Sequence, residues 1–140
     1  MRIMLCRSEK IGSRIIRWMT GSVWSHAALI ADDGRAIEAV WPRVRMTTPA
    51  KIANSHTAYT FVDIYCQNEQ LALDHAFDQI GRPYDITALF GWLTGRDWQE
   101  EDSWFCSELV AWAFAQGGSP LFREGTLSRV TPQHLWMLRP

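Results

Sequence analysis

The chain is expected to fold as an α+β domain, and three observations predict this. Short segments rich in β-branched and aromatic residues crowd the first half, whereas longer segments with helical spacing fill the second. Asp32-Asp33-Gly34 separates two apolar runs and marks a hairpin between adjacent antiparallel strands. With 140 residues, 47% hydrophobic and 21% charged, the chain suits one respectable core, so residues 1–140 are expected to form a single domain.

The elements follow in order. Arg2 to Arg7 is a short strand, and a helix from about Lys10 to Met19 puts Ile11, Ile15 and Trp18 on one face. Ser25 to Ala31 is a strand that turns at Asp32-Asp33-Gly34 and returns as Arg35 to Trp41. Val44 to Met46 extends the sheet, and Thr48-Pro49 starts a helical turn through Ile52. Tyr59 to Tyr65 alternates and is rich in β-formers, which predicts a further strand. Asn68 to Ile80 is a helix with Leu73, Ala76, Phe77 and Ile80 as its apolar stripe and Gly81 as its stop. Asp85 to Leu93 is a shorter helix, and Gln99 to Ser103 is a solvated acidic loop. With Ser103 as N-cap, Leu109, Val110, Ala113 and Phe114 carry a helix to Gly117-Gly118. Thr131-Pro132 has the N-cap and first-turn chemistry of a terminal helical turn.

Composition excludes several function classes. A formal charge of −1 gives no electrostatic basis for binding nucleic acid. The three cysteines are too far apart for a zinc knuckle and stand near no histidine at ligand spacing, so neither metal nor cofactor is expected. An odd cysteine count without a secretory signal implies reduced thiols and a cytoplasmic setting, although action on envelope material stays open. No apolar run is long enough to span a bilayer, and the sequence says nothing about oligomeric state.

One position stands out chemically. In Trp104-Phe105-Cys106-Ser107-Glu108, Cys106 falls in the first turn of a helix, where unpaired N–H groups and the helix dipole favour a thiolate. A nucleophilic thiol needs a base, and His26 on the hairpin is a candidate. Glu38, on the returning strand, could fix the imidazole tautomer and free the other nitrogen for the thiol. A strict two-residue turn would put His26 and Glu38 on opposite faces, whereas a bulge or a three-residue loop would put them on one.

These motifs together resemble the NlpC-type papain-like cysteine hydrolases. That family places a histidine on one strand and a polar orienting residue twelve positions later, the same offset as 38 − 26. Its cysteine opens a buried helix in an aromatic-Asp-Cys-Ser-Gly-Leu-Val setting, similar to Phe105-Cys106-Ser107-Glu108-Leu109-Val110. Its Gly-x-Pro-Tyr corresponds to Gly81-Arg82-Pro83-Tyr84, which implies that Tyr84 contributes to the oxyanion region. Here the histidine precedes the cysteine, an order that resembles the circularly permuted, YiiX-like branch, itself similar to the lecithin:retinol acyltransferase group. A trailing Thr131-Pro132-x-x-Leu135 also resembles that branch. The resemblance implies a papain-like fold in permuted order, a small antiparallel sheet packed with helices. Glu108 stands where the family has glycine, and the glycines that usually follow Pro-Tyr are absent.

The remaining candidates receive plainer readings. Cys6 and Cys66 are expected inside strands as core fillers, and His56 and His75 as solvated histidines. His134 has no evident partner. Trp24, Trp98 and Trp104 flank the catalytic elements and could line an apolar substrate groove. The expected function is a cysteine hydrolase or acyltransferase acting on an amide or acyl bond through Cys106, His26 and Glu38, with a peptide or acyl lipid as substrate. The alternative is a catalytically weak module that binds an acyl chain on the same fold.

Overall fold

The structure, a computed structural model, describes residues 1–85, 103–123 and 125–138. All but the first residue of the expected helix over 85–93, together with Trp98 and most of the acidic loop, lie outside these residues. Five strands form one antiparallel sheet: β1 (Arg2–Arg7), β2 (His26–Ile30), β3 (Ala36–Val40), β4 (Arg43–Thr47) and β5 (Ala58–Asp63), in the order β4-β3-β2-β1-β5. The helices are α1 (Ile11–Thr20), α2 (Pro49–Asn54), α3 (Glu69–Asp78), α4 (Cys106–Gln116) and α5 (Pro132–Met137).

The pleat divides the apolar side chains between two clusters. Ile3, Leu5, Ala27, Leu29, Ile37 and Ala39 meet the inner faces of α3 and α4, where Leu73, Ala76, Leu109, Ala113 and Phe114 are buried. The opposite face carries Met4, Cys6, Ala28 and Ala36 against Ile52 of α2. Both faces of β2 and β3 are therefore covered, which explains their nearly continuous burial.

Several expectations shift on inspection. The N-cap of α4 is Phe105, not Ser103, so Cys106 is the first helical residue. The Glu108 carboxylate accepts the Phe105 N–H at 3.5 Å, supplying the back-bond that a serine cap would otherwise complement. Ile80 falls after the end of α3 and is exposed, while Ala72 joins Leu73 and Ala76 in the buried stripe. Cys66 follows β5 and is buried, although not in a strand. Its thiol points at the carbonyl of Gly117 at 3.9 Å.

The segment after α3 matters most for the site. Gly81, at φ 93°, ends the helix in the left-handed region that glycine tolerates. The chain then runs beside β4, with the Val44 N–H donating to Arg82 O at 2.8 Å and the Tyr84 N–H to Pro42 O at 3.0 Å. On its other side the Trp104 N–H donates to Pro83 O and the Asp85 N–H to Trp104 O, each at 3.0 Å. Tyr84 is thereby held between the sheet edge and the entry to α4.

Candidate active site

The loop between β2 and β3 decides the geometry. Leu29 pairs with Ile37 and Ile30 with Ala36, and the Ala31 N–H donates to Arg35 O at 2.9 Å. Asp32, Asp33 and Gly34 thus form a three-residue loop, with Gly34 at φ 85°. Continued along the strands, this register sets Glu38 opposite Ala28 and on the same face as His26. The loop supplies the parity that a two-residue turn would have denied.

His26 Nε2 and Glu38 Oε2 lie 2.6 Å apart, with the two residues only 8% and 2% exposed. Arg45, directly across from Glu38 on β4, donates Nε to the other carboxylate oxygen at 2.8 Å, and its Nη2 lies 2.8 Å from the same oxygen as an ion pair. With Nε2 engaged, the remaining His26 nitrogen is Nδ1, and Cys106 is near enough to the ring to help raise its pKa. His26 opens β2 and Cys106 opens α4, so the two meet at the ends of their elements. Cys106 itself is 1% exposed.

The electrostatics follow from these contacts. Burial alone would lower the His26 pKa, but hydrogen bonds to Cys106 and Glu38, together with their charges, raise it to about 10. Burial works against ionisation of Glu38, yet the His26 bond and charge, followed by Arg45, hold its carboxyl below the usual range. Burial and the nearby Cys106 and Asp85 push the Tyr84 hydroxyl above its ordinary value, so it stays a neutral donor. The Cys6 thiol is pushed up to about 12 by burial, with smaller contributions from Glu38 and Cys106. A thiol so raised is inert at neutral pH.

A cleft of about 640 Å³ is lined by His26, Glu38, Arg45, Tyr84 and Trp41 among others, while Cys106, 1% exposed, does not line it. Trp24 and Trp104 do not line it. Trp24 is buried against Trp136 at 5.6 Å between ring centroids. Trp104 donates its indole N–H to Gln79 and packs on Trp112 at 4.9 Å. Glu108 is likewise buried at the helix entry and outside the lining.

Three residues escaped the sequence reading. His56, expected to be solvated, is half-buried and stacks on His26 at 5.6 Å with a 6° interplanar angle. Its Nδ1–H donates to Ile52 O at 2.8 Å, which holds the ring in place at the end of α2. The second missed residue is Arg45, and its signal was its cross-strand position once the hairpin register is known. Trp41, at the hairpin's return end, is the exposed tryptophan that does line the cleft. His75 is not fully solvated either, since its ring meets the edge of Trp112 at 6.0 Å. His134 accepts the Thr131 N–H at 3.1 Å and so serves the cap of α5.

Comparison with known proteins places this geometry. A crystal structure of YiiX from Escherichia coli O157:H7, described as a metalloprotein, superposes with a TM-score of 0.63 at 25% identity. The match covers 87% of this chain and 68% of that one. Among the described residues no three His, Cys, Asp or Glu side chains come together to hold a metal ion, and no helix is long and apolar enough to cross a membrane. No curated protein matches the chain. Residues 6–135 match the family described as permuted papain-like amidase enzymes, YaeF/YiiX, C92. With His26, Glu38, Tyr84 and Cys106 all inside that span, the chain belongs to the permuted papain-like amidases, a family of cysteine hydrolases.

Proposed function

We propose that the protein hydrolyses an amide or acyl bond with Cys106 as nucleophile, His26 as general base and acid, and Glu38 as the group that orients the imidazole. The observation that carries this reading is the buried 2.6 Å contact between His26 Nε2 and Glu38, which leaves Nδ1 for the thiol. The raised His26 pKa supports its role as the group that takes the Cys106 proton and keeps it until the leaving group needs it.

The chemistry balances with these groups alone. The Cys106 sulfur attacks the carbonyl carbon, forming a C–S bond while the carbonyl electron pair moves onto oxygen. The Cys106 backbone N–H sits at the helix start, where N–H groups find no acceptor within the helix. Together with the neutral Tyr84 hydroxyl it is suited to receive that oxyanion; one such donor is worth roughly 3–4 kcal/mol. The tetrahedral intermediate collapses, the carbon–nitrogen or carbon–oxygen bond breaks, and His26 gives its proton to the leaving group. Water then attacks the thioester carbon, His26 takes the water proton, the C–S bond breaks to return the sulfur to Cys106, and the acid departs. An acceptor alcohol or amine in place of water would make the same site an acyltransferase.

For the substrate we favour an apolar acyl group over a charged peptide. Trp41, Val40, Ala39 and Ile16 contribute apolar walls to the cleft beside the histidine. Trp24 is buried and the half-buried Trp104 packs against the core, neither of them in the cleft, so any apolar selectivity is assigned to these wall residues.

The test pairs labelling with turnover. Iodoacetamide is expected to modify one thiol per chain rapidly, with no such reaction in Cys106→Ala and a much slower one in His26→Ala. Purified protein should hydrolyse short acyl thioesters or aryl esters faster than γ-D-glutamyl peptides. Peptide cleavage that depends on Cys106, with no ester turnover, would refute the substrate assignment, and the absence of any Cys106-dependent turnover would refute the catalytic one.

A further inference from the structure

Helix α1 is built inside out. Its inward flank is mostly polar: Ser13 Oγ accepts the Ser8 N–H at 3.0 Å and lies 2.6 Å from Ser25 Oγ, and Arg17 reaches the Ser8 carbonyl at 3.4 Å. None of its ten residues is buried. The outward flank carries Ile11 at 77% exposure, Ile15 at 49% and Trp18 at 78%. At 100° per residue these three fall within an arc of about 60°. An ordinary surface helix turns such a stripe toward the core.

The charge around this stripe has one sign. Lys10, Arg14 and Arg17 face only Glu9 across residues 9–20, in a chain whose net charge is −1. Arg17 is spoken for by Glu9 at 3.3 Å, while Lys10 and Arg14 are exposed and form no ion pair among the described residues. A helix with an apolar face ending in tryptophan, flanked by cations and polar on its other side, has the makeup of one that lies in a lipid–water interface. Indole groups favour that boundary, and the cations favour an anionic one.

We propose that α1 docks the protein on an anionic lipid bilayer by seating Ile11, Ile15 and Trp18 among the acyl chains, with Lys10 and Arg14 at the headgroups. A second copy of the chain fits less well. A two-fold contact would bring Arg14 toward its own counterpart, and three side chains cover far less than the roughly 800 Å² per partner of a stable interface. The other flank of the same helix, through Gly12, Ser13 and Ile16, lines the cleft that holds His26, joined there by Lys10 at the helix cap. Docking therefore brings the cleft wall to the lipid surface. The proposal goes beyond the catalytic reading and stands without it.

Co-sedimentation of the full chain with vesicles tests it, using phosphatidylcholine with and without phosphatidylglycerol. Cys106→Ala is used so that binding is read without turnover. The expected result is binding to the anionic vesicles, weakened by salt, with Ile15→Ser/Trp18→Ser lowering the partition coefficient roughly tenfold or more. Arg14→Glu should lower it roughly fivefold or more and blunt the salt dependence. Neither residue set lines the cleft, so hydrolysis of a soluble ester by the same substitutions in the Cys106 background should match the parent, which also certifies the fold. Absence of binding to anionic vesicles, or binding that survives the double substitution, overturns the proposal. So does a concentration-dependent dimer in sedimentation velocity that the double substitution abolishes while no vesicle binding is seen. Vesicle binding with no ester turnover would sink the catalytic reading alone, and turnover without vesicle binding would sink the docking alone.

Discussion

Arg45 stands directly across from Glu38 in the β3–β4 register and places both its Nε and Nη2 on Oε1, leaving Oε2 to His26. The carboxylate is thus shared by two strands, with one oxygen assigned to each neighbour. A carboxylate gripped on one side has less freedom to rotate away from the imidazole on the other.

Arg45→Met is expected to leave the fold intact and lower kcat/KM by about three- to tenfold, the worth of one charged hydrogen bond discounted for the exposure of Arg45. Arg45→Lys should recover only part of this, because an ammonium lacks the rigid planar geometry of the guanidinium. Steady-state kinetics on a soluble ester check it, and an unchanged kcat/KM in Arg45→Met would show that Glu38 is held without it.

Glu38→Gln should lower turnover about a hundredfold or more while the chain stays folded, since an amide cannot stabilise the imidazolium. The pH profile separates this from simple misfolding. Against the pull of burial, His26 holds its proton to about 10 because Cys106 and Glu38 raise it. The alkaline limb of kcat/KM should therefore lie near that value in the parent and move down toward 6.5 in Glu38→Gln. The same sign governs stability. A histidine raised on folding adds stability that is full below 6.5 and is lost as pH climbs through about 10, so the melting temperature should decline over that window.

His56 gives a prediction at the other end of the pH scale. Burial, then the His26 charge, depress its pKa against the pull of the Ile52 carbonyl, so the ring stacked on His26 is neutral near pH 7. When acid protonates it, a cation faces the His26 imidazolium. His56→Phe keeps the stack and removes that ionisation, so activity should persist to lower pH than in the parent. An unchanged acid limb would mean that His56 does not govern the site.

Gly117 caps α4 where the chain passes closest to the start of α3. A Cβ there would lie 2.7 Å from Cys66 Sγ and 2.8 Å from the Asn68 carbonyl oxygen, and the latter is backbone that cannot swing aside. Gly117→Ala should cost about 1–3 kcal/mol of stability, as overpacking usually does. For a chain of this length that is a fall of roughly 2–12 °C in melting temperature, measurable by circular dichroism.

Local chemistry was legible where it depended on neighbours in sequence. Among the described residues the strands and helices stand within a few residues of their expected bounds, because alternation, Gly81 and the Thr131-Pro132 cap act locally. His26, Glu38 and Cys106 were legible as residue types in order, while their meeting depended on a loop whose length the sequence left open. Arg45 and His56 were hidden for a different reason. One is defined by strand pairing and the other by where α2 ends relative to His26, and neither shows in a single stretch of chain. Trp24 and Trp104 flank His26 and Cys106 in sequence, yet they pack against Trp136 and Trp112 and neither lines the cleft. The α1 stripe misleads in the opposite sense, since periodicity identifies an apolar face without saying which way it points.

The loop Asp32-Asp33-Gly34 also limits how relatives of this chain can diverge. Because strand side chains alternate, gaining or losing one residue there, with the strands re-pairing as a tight hairpin, would turn Glu38 to the far side of the sheet while leaving every site residue in the sequence. A change of two residues would restore the alignment. Length variation at this hairpin should therefore come in even steps among active homologues. A copy with a single-residue indel would keep the whole motif in print and lose the machine, so an intact Cys-His-Glu signature is an unsafe guide to activity unless this loop is counted first.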